Sequence, residues 1–279
     1  MRSIAILAFR DVFTATDSTY DKDLRPITVE ILTTMLRDSD VENRRLALNT
    51  FSAAVRNKAH LILPHLSTLL PLVLDQSHKD PSLIREVSMG PFKHTVDDGL
   101  EVRKNAYETL YSLLEIAPGR ILVDPTIVSA LFDRTIAGVG DDRGIQTLSN
   151  LMLPRLAASA PEEMTRRLDS VAEQFRTVLS FKPKETAVRP EVERAEDAKR
   201  GVIRVSLELA KLLPGEVPDV GVKTGSGGSA GQAGAGSASA AASAGLKPVW
   251  SGYWEYMMGT YGELVKQVEK ENKEGGRGI

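Results

Sequence analysis

The four histidines come first, because imidazole is the side chain best suited to bind a metal or move a proton near neutral pH. They stand at His60, His65, His78 and His94. No two of them are four positions apart with a glutamate between, the spacing that puts two zinc ligands and a base on one helix face. His65 reads as a helix-face residue and His78 as a loop residue. The chain has no cysteine, which removes disulfides, thiolate nucleophiles and Cys-ligated zinc, and which suits a cytoplasmic or nuclear protein. Gly227-Gly228-Ser229-Ala230-Gly231 fits the G-x-S-x-G outline of a hydrolase nucleophile. That serine works only on a sharp turn between strand and helix, and here it lies in a run of Gly, Ala and Ser. Gly225-Ser226-Gly227 opens a loose dinucleotide fingerprint that ends on Ala230, with no strand before it and no acidic residue about 20 positions on. Glu162-Glu163 follow Pro161 at a helix start, where carboxylates complement the macrodipole. We therefore expect no catalytic residue, no metal site and no cofactor.

Contact chemistry remains. Within residues 84–98, Val87 and Met89 alternate with polar neighbours, Gly90-Pro91 follows, and Phe92, His94 and Val96 alternate again. Period two on both sides of a Gly-Pro predicts a β-hairpin. An isolated hairpin is only marginally stable in water, so one carrying Val87, Met89 and Phe92 needs something to pack on. That is a partner surface or its own scaffold. A second candidate is the run from Lys182 to Arg204, dense in both charge signs. It is a solvated loop and helix face, or a groove for a partner of mixed charge.

The elements that must position the hairpin are helices. Val41, Ala47, Leu48, Phe51, Ala54 and Val55 form one apolar stripe at helical spacing. Val102, Ala106, Leu110, Leu113 and Leu114 form a second, and Ile145, Leu148, Leu151, Met152 and Leu156 a third. Each is preceded by aspartate: Asp40, Asp97-Asp98 and Asp141-Asp142. A carboxylate there accepts bonds from the free N–H groups of the first turn. Asp124-Pro125 is a further cap, with proline where its missing N–H costs nothing. Shorter partners lie between, over 26–36, 64–74, 125–139 and 161–179. Antiparallel helix pairs of this kind, with Asp caps and a basic pair (Arg44-Arg45, Arg103-Lys104) in the second helix, mark HEAT-type repeats of roughly 40–47 residues.

Spacing then locates the insertion. From Val102 to Ile145 is 43 residues, one repeat, whereas from Val41 to Leu100 is 59, an excess of 16. The excess falls where the hairpin is predicted. The fold class is thus all-α, a HEAT-repeat α-solenoid over 1–224 with one inserted β-hairpin at about 84–98. Residues 225–245 are nearly pure Gly, Ala and Ser, a flexible linker. Over 246–279, Trp250, Trp254, Met257, Met258, Tyr261, Leu264, Val265 and Val268 outline an amphipathic helix expected to dock on the array or on a partner. A disordered tail is expected over 273–279. The first residues read as the middle of a helix, so we expect the chain to be a piece of something longer.

Bulk numbers limit the partners. With 35 basic and 37 acidic residues the formal charge is −2, so no global field recruits nucleic acid or an anionic membrane. No apolar run approaches the roughly 18 residues of a membrane span. A protein partner is the expectation, with the chain itself a monomer in isolation.

The stretch from Arg85 to Lys104, REVSMGPFKHTVDDGLEVRK, resembles the C-terminal domain of the cullin-associated, neddylation-dissociated family, also called the TATA-binding-protein-interacting domain. The likeness continues through Leu148–Leu156, Arg167-Leu168-Asp169 and Ala198-Lys199-Arg200, covering about 25–213. The resemblance implies a long helical-repeat superhelix around an unmodified cullin bound to its RING subunit. It also implies a hairpin at the substrate adaptor's place, and action as an exchange factor for substrate receptors of ubiquitin ligases, in cytoplasm and nucleus. By position the contact residues are Glu86, Val87, Met89, Phe92, Lys93, His94 and Val96. The domain's other name carries an alternative, a transcription-linked scaffold for TATA-binding protein. Two features depart from the family: the chain is several times shorter, and the Gly/Ala/Ser stretch with the Trp-bearing helix looks like a lineage-specific extension.

Overall fold

The structure, a computed structural model, describes residues 2–15, 17–19, 21–90, 92–216 and 248–275. Two compact units divide the chain, Met1–Met152 and Leu153–Ile279. The first holds α1 (Arg2–Thr14), α2 (Asp21–Leu24), α3 (Thr28–Leu36), α4 (Val41–Asn57), α5 (Ala59–Ile62) and α6 (Leu66–Gln76). The strands β1 (Ile84–Met89) and β2 (Phe92–Asp97) follow, then α7 (Leu100–Ile116), α8 (Pro118–Ile121) and α9 (Pro125–Gly138). Helix α10 (Arg143–Ser159) carries the boundary between units, and the second unit adds α11 (Pro161–Ser180), α12 (Arg189–Leu212) and α13 (Pro248–Gly275). The fold is all-α and HEAT-like, with one inserted hairpin among the described residues.

In the first unit α1, α4 and α7 lie side by side as one layer, and α3, α6 and α9 form the other. The apolar stripe of α4 is the reason: Ala47, Leu48, Phe51, Ala54 and Val55 are all fully buried, and a large apolar side chain contributes about 1.5–3 kcal/mol on burial. The stripe of α7 is buried in the same way. One polar position records the repeat. Thr50 Oγ1 donates to Leu46 O in its own helix at 2.9 Å and reaches Ile6 O of α1 at 3.5 Å. Thr109, 59 residues on, donates to its own Asn105 O at 2.8 Å and reaches Leu48 O of α4 at 3.5 Å. The helix stack keeps its register across the long repeat.

The same period appears where these helices end. Lys58, Ala117 and Ala160 share one backbone conformation, with φ of −134°, −145° and −142° and ψ of 45°, 55° and 66°. Each donates its N–H to the carbonyl four residues back. Their separations are the 59 and 43 residues expected.

The caps match the sequence expectation in part. Asp40, Asp124 and Asp142 accept from the N–H groups of Glu42, Thr126 and Gly144 at 2.9, 2.8 and 3.0 Å. Helix α7 needs a correction: Gly99 stands at its N-cap without a side-chain cap bond, Asp97 accepts from the Gly99 N–H at 3.0 Å ahead of the first turn, and Asp98 turns to the hairpin. The third stripe needs a correction: Leu151 is 45% exposed and Leu148 half-buried, while Ile145, Met152, Leu153 and Leu156 are fully buried. A helix face has an edge, and Leu151 stands beyond it.

Helix α13 docks on α11 and α12, burying Trp250, Tyr253, Trp254, Met257, Val265 and Val268. Asp169 Oδ1 on α11 accepts from the Trp250 backbone N–H at 3.0 Å, satisfying one of the free donors of the first turn from outside the helix. Ser206 on α12 and the Tyr253 hydroxyl share a 2.6 Å hydrogen bond. Arg200 and Arg204, from the mixed-charge run, pair with Glu271 at 2.9 and 3.2 Å. The expected disorder over 273–279 is corrected in its first part, since α13 continues through Lys273, Glu274 and Gly275. The linker at 225–245, with its G-x-S-x-G decoy, and residues 276–279 lie outside the described residues.

A glycine marks the tightest approach in the first unit. A Cβ on Gly138 would stand 2.2 Å from Ser149 Oγ and 2.7 Å from Tyr107 Cε1. The hydroxyl can rotate away, but the Tyr107 ring is buried and its OH donates to Arg134 O. Helix propensity favours alanine over glycine by about 1 kcal/mol. Overpacking a fixed ring outweighs that, so Gly138→Ala is expected to destabilise by about 1–2 kcal/mol net. A lowered urea midpoint with unchanged m-value would show it.

Candidate functional site

The hairpin pairs antiparallel in the register Ile84↔Asp97, Arg85↔Val96, Glu86↔Thr95, Val87↔His94, Ser88↔Lys93 and Met89↔Phe92. Gly90 has φ +64°, a conformation that suits glycine and lets a two-residue turn close two twisted strands. Pro91 is outside the described residues.

Cross-strand partners share a face of the pleat, so the register divides the sequence-predicted contact residues. Val87, His94 and Val96 fall on one face together with Arg85. Val87 and Val96 are half-buried and His94 is exposed. Glu86 and Lys93 fall on the other face, both exposed, and their side chains form a 3.4 Å ion pair. At that exposure the pair is worth little to stability. Met89 and Phe92 are register partners beside the turn. One face thus offers a short apolar strip with an imidazole, the other a charged surface. Among the described residues of the whole chain, no group of three His, Asp or Glu could hold a metal ion.

What the sequence reading missed is the root of the hairpin. Arg85 on β1 forks onto Asp98, just past β2, with Nε–Oδ2 at 2.6 Å and Nη2–Oδ1 at 3.2 Å. The hydrogen bonds and charge of Arg85 hold the Asp98 carboxyl below its ordinary pKa. The Asp98 N–H donates to Leu83 O at 3.0 Å, closing the strand ends. Beneath this pair lies Arg103 in the first turn of α7, only 3% exposed. Its Nη1 donates to Asp97 Oδ2 at 2.9 Å, and its Nη2 and Nε donate to the two oxygens of Asp141 at 2.9 and 3.1 Å. One guanidinium therefore joins the last residue of β2 to the loop that opens α10. Arg44, 59 residues earlier, holds the matching place in the preceding repeat. It donates to Gln76 Oε1 at 3.0 Å and to the carbonyl of Asp38 at 2.8 Å, with no hairpin to hold. A cleft of about 630 Å³ opens at this root, its lining including Arg44, His78, Lys79, Leu83 and Arg103.

The sequence did carry a signal, an Asp-Asp pair ahead of both α7 and α10. Read as caps alone, the pairs hid their use as counter-charges.

Burial by itself would raise the pKa of Asp141. The hydrogen bonds from Arg103 and from the Asp142 N–H outweigh it and hold the carboxyl below its ordinary 3.8. A depressed folded-state pKa gives stability that is fully present above 3.8 and lost as pH falls through the folded value. The network is thus intact at neutral pH and fails only in acid. Asp141→Ala removes two charged hydrogen bonds from a buried guanidinium and should cost about 2–3 kcal/mol at pH 7. Urea titrations should show the gap between variant and parent narrowing well below pH 4; a gap of the same size there would refute the assignment.

Comparison with known proteins adds the following. The family model described as TATA-binding protein interacting (TIP20) matches residues 61–257. Cullin-associated NEDD8-dissociated protein 1, C-terminal part, of Emericella nidulans is 47% identical over 216 residues, which is 77% of this chain and 20% of that protein. Cullin-associated NEDD8-dissociated protein 1 of Drosophila melanogaster is 40% identical over 177 residues, 63% of this chain and 14% of that protein. Cullin-associated NEDD8-dissociated protein 2 of Rattus norvegicus is 36% identical over 208 residues, 75% of this chain and 16% of that protein. The chain spans a fifth or less of the length of these relatives. The family match runs to residue 257 and so includes Trp250 and Trp254 of α13. That corrects the view of the Trp-bearing helix as a lineage-specific extension.

Proposed function

The chain belongs to the TATA-binding protein interacting family, and from that premise we propose that it binds an unmodified cullin carrying its RING subunit and competes there with the substrate adaptor. In this reading it helps exchange the substrate receptors of ubiquitin ligases, and it works by contact rather than by catalysis. One observation carries it. A two-stranded hairpin interrupts a helical array whose register is otherwise kept, and it lies inside the region matched by the family. The names of the relatives, cullin-associated and NEDD8-dissociated, support a cullin as the partner.

The chemistry of the hairpin is compatible with that work. By register Val87 and Val96 fall on one face of the pleat, with Met89 and Phe92 paired beside the turn, and apolar residues so grouped suit the core of an interface. His94 adds a polar group on that face and Glu86 with Lys93 a charged pair on the other, contacts that set orientation and partner choice more than affinity. A hairpin alone buries too little area for tight binding, since stable interfaces bury about 1,200–2,000 Å² in total. Helical-repeat surface beside it must add the rest. The partners of the much longer relatives therefore come to this chain only as a proposal.

Binding of the purified chain to an unmodified cullin–RING pair, with release of bound adaptor as the second readout, tests the reading. The double variant Met89→Asp with Phe92→Asp should weaken binding at least about tenfold, the scale of losing an interface anchor. It should also abolish adaptor release while the helical circular dichroism is retained. Unchanged adaptor release would remove the hairpin from the interface. Capture of TATA-binding protein at physiological salt, surviving deletion of residues 84–97, would favour the transcription-linked alternative instead.

A further inference from the structure

The hairpin has a problem of attachment. Two strands alone are marginally stable, and the cross-strand ion pairs Arg85–Asp98 and Glu86–Lys93 are solvent-exposed. Exposed pairs of this kind add little. Among the described residues, two contacts that reach from the hairpin into the body are at its root. Leu83 packs on Gly99, where even a Cβ would meet its Cδ1 at 3.0 Å. Asp97 is held from below by the 3% exposed Arg103.

We propose that Arg103 is the positioning residue of the hairpin. It fixes the angle at which β1 and β2 leave the array by tying Asp97 to Asp141, and it touches no partner itself. Three features carry the inference. The guanidinium is buried, so its two ion pairs are neither screened nor optional: an uncompensated charge at that depth is strongly unfavourable. Its planar fork places three N–H groups on three carboxylate oxygens, and this fixes orientation as well as distance. The equivalent Arg44 makes its bonds to a side-chain amide and to backbone carbonyls, so an arginine here can serve the array without steering any insertion. Asp97 is the addition that turns a repeat-to-repeat tie into a hairpin mount. The partner arm of this proposal rests on the cullin-binding reading; the structural arm does not.

Hydrogen exchange of the amides in residues 84–97 of the full chain separates the arms. In Asp97→Asn the pairing with Asp141 survives and only the hairpin-side charge is lost. Exchange of the hairpin amides should then rise about tenfold, the equivalent of one charged hydrogen bond, with exchange in α4 and α7 unchanged. Arg103→Lys should raise hairpin exchange as well, because an ammonium cannot span both carboxylates as the fork does, with α7 affected too through the weakened tie to Asp141. Arg44→Gln, the control, should leave the hairpin amides as they are. Unaltered hairpin exchange in Asp97→Asn and Arg103→Lys, or equal acceleration in Arg44→Gln, would overturn the proposal. Where the wild-type chain binds a cullin, Asp97→Asn should weaken that binding by a similar factor, although Asp97 is not among the proposed contacts. If the wild-type chain fails to bind, the functional reading falls, and the exchange rates still decide the role of Arg103.

Discussion

A guanidinium cannot be neutralised by losing its proton, so when it is buried the protein must bring carboxylates to it. Arg103 imposes this condition on two loops at once. Asp97 must end β2 beside the first turn of α7, and Asp141 must enter from the loop ahead of α10. Remove the arginine and both carboxylates lose their partner together. The hairpin and the following repeat are thus not independently placed. The insertion was accommodated without disturbing the helix layer, as the matched Thr50 and Thr109 contacts attest. Its direction is set where the layer and the insertion share a charge.

Much of this was legible in the sequence because it was local. Apolar stripes at helical spacing, an aspartate one or two residues ahead, and a period of 43 broken by one of 59 are all short-range signals, and each corresponds to an element found. The two strands were legible for the same reason, through period two on both sides of Gly90. The ion network was not. Arg103 and Asp141 are 38 residues apart, and nothing near either names the other. An aspartate before a helix can cap it, pair across a hairpin, or meet an arginine from a neighbouring helix. Asp97 does the third and Asp98 the second, while Gly99 stands at the N-cap of α7 with no side-chain cap bond. Leu151 shows the complementary failure. Spacing says which residues can share a face, but the width of the covering neighbour decides which of them are covered, and Leu151 is left 45% exposed. At the chain's end, the sequence from Lys273 suggested disorder, yet the helix continues there with a Lys270–Glu274 pair at four-residue spacing.

The register of the hairpin adds something no composition could. The contact residues inferred by resemblance formed a single set in sequence, but the pleat assigns them to opposite faces. Val87, His94 and Val96 cannot meet the same flat surface as Glu86 and Lys93. A partner that uses all of them must have a slot with two walls, and a partner with one flat wall can use only half.

Helix α13 is seated by Asp169 at its first turn and by Ser206 on Tyr253 farther along, both side chains of the helices it packs against. Its seat is therefore defined by the receiving helices and not by the chain that leads to it. Between Leu212 and Pro248 the polypeptide supplies 35 residues, and the entropic cost of closing such a connection grows only with the logarithm of its length, about 0.6 kcal/mol per doubling. Selection on the domain would then scarcely sense how long that connection is.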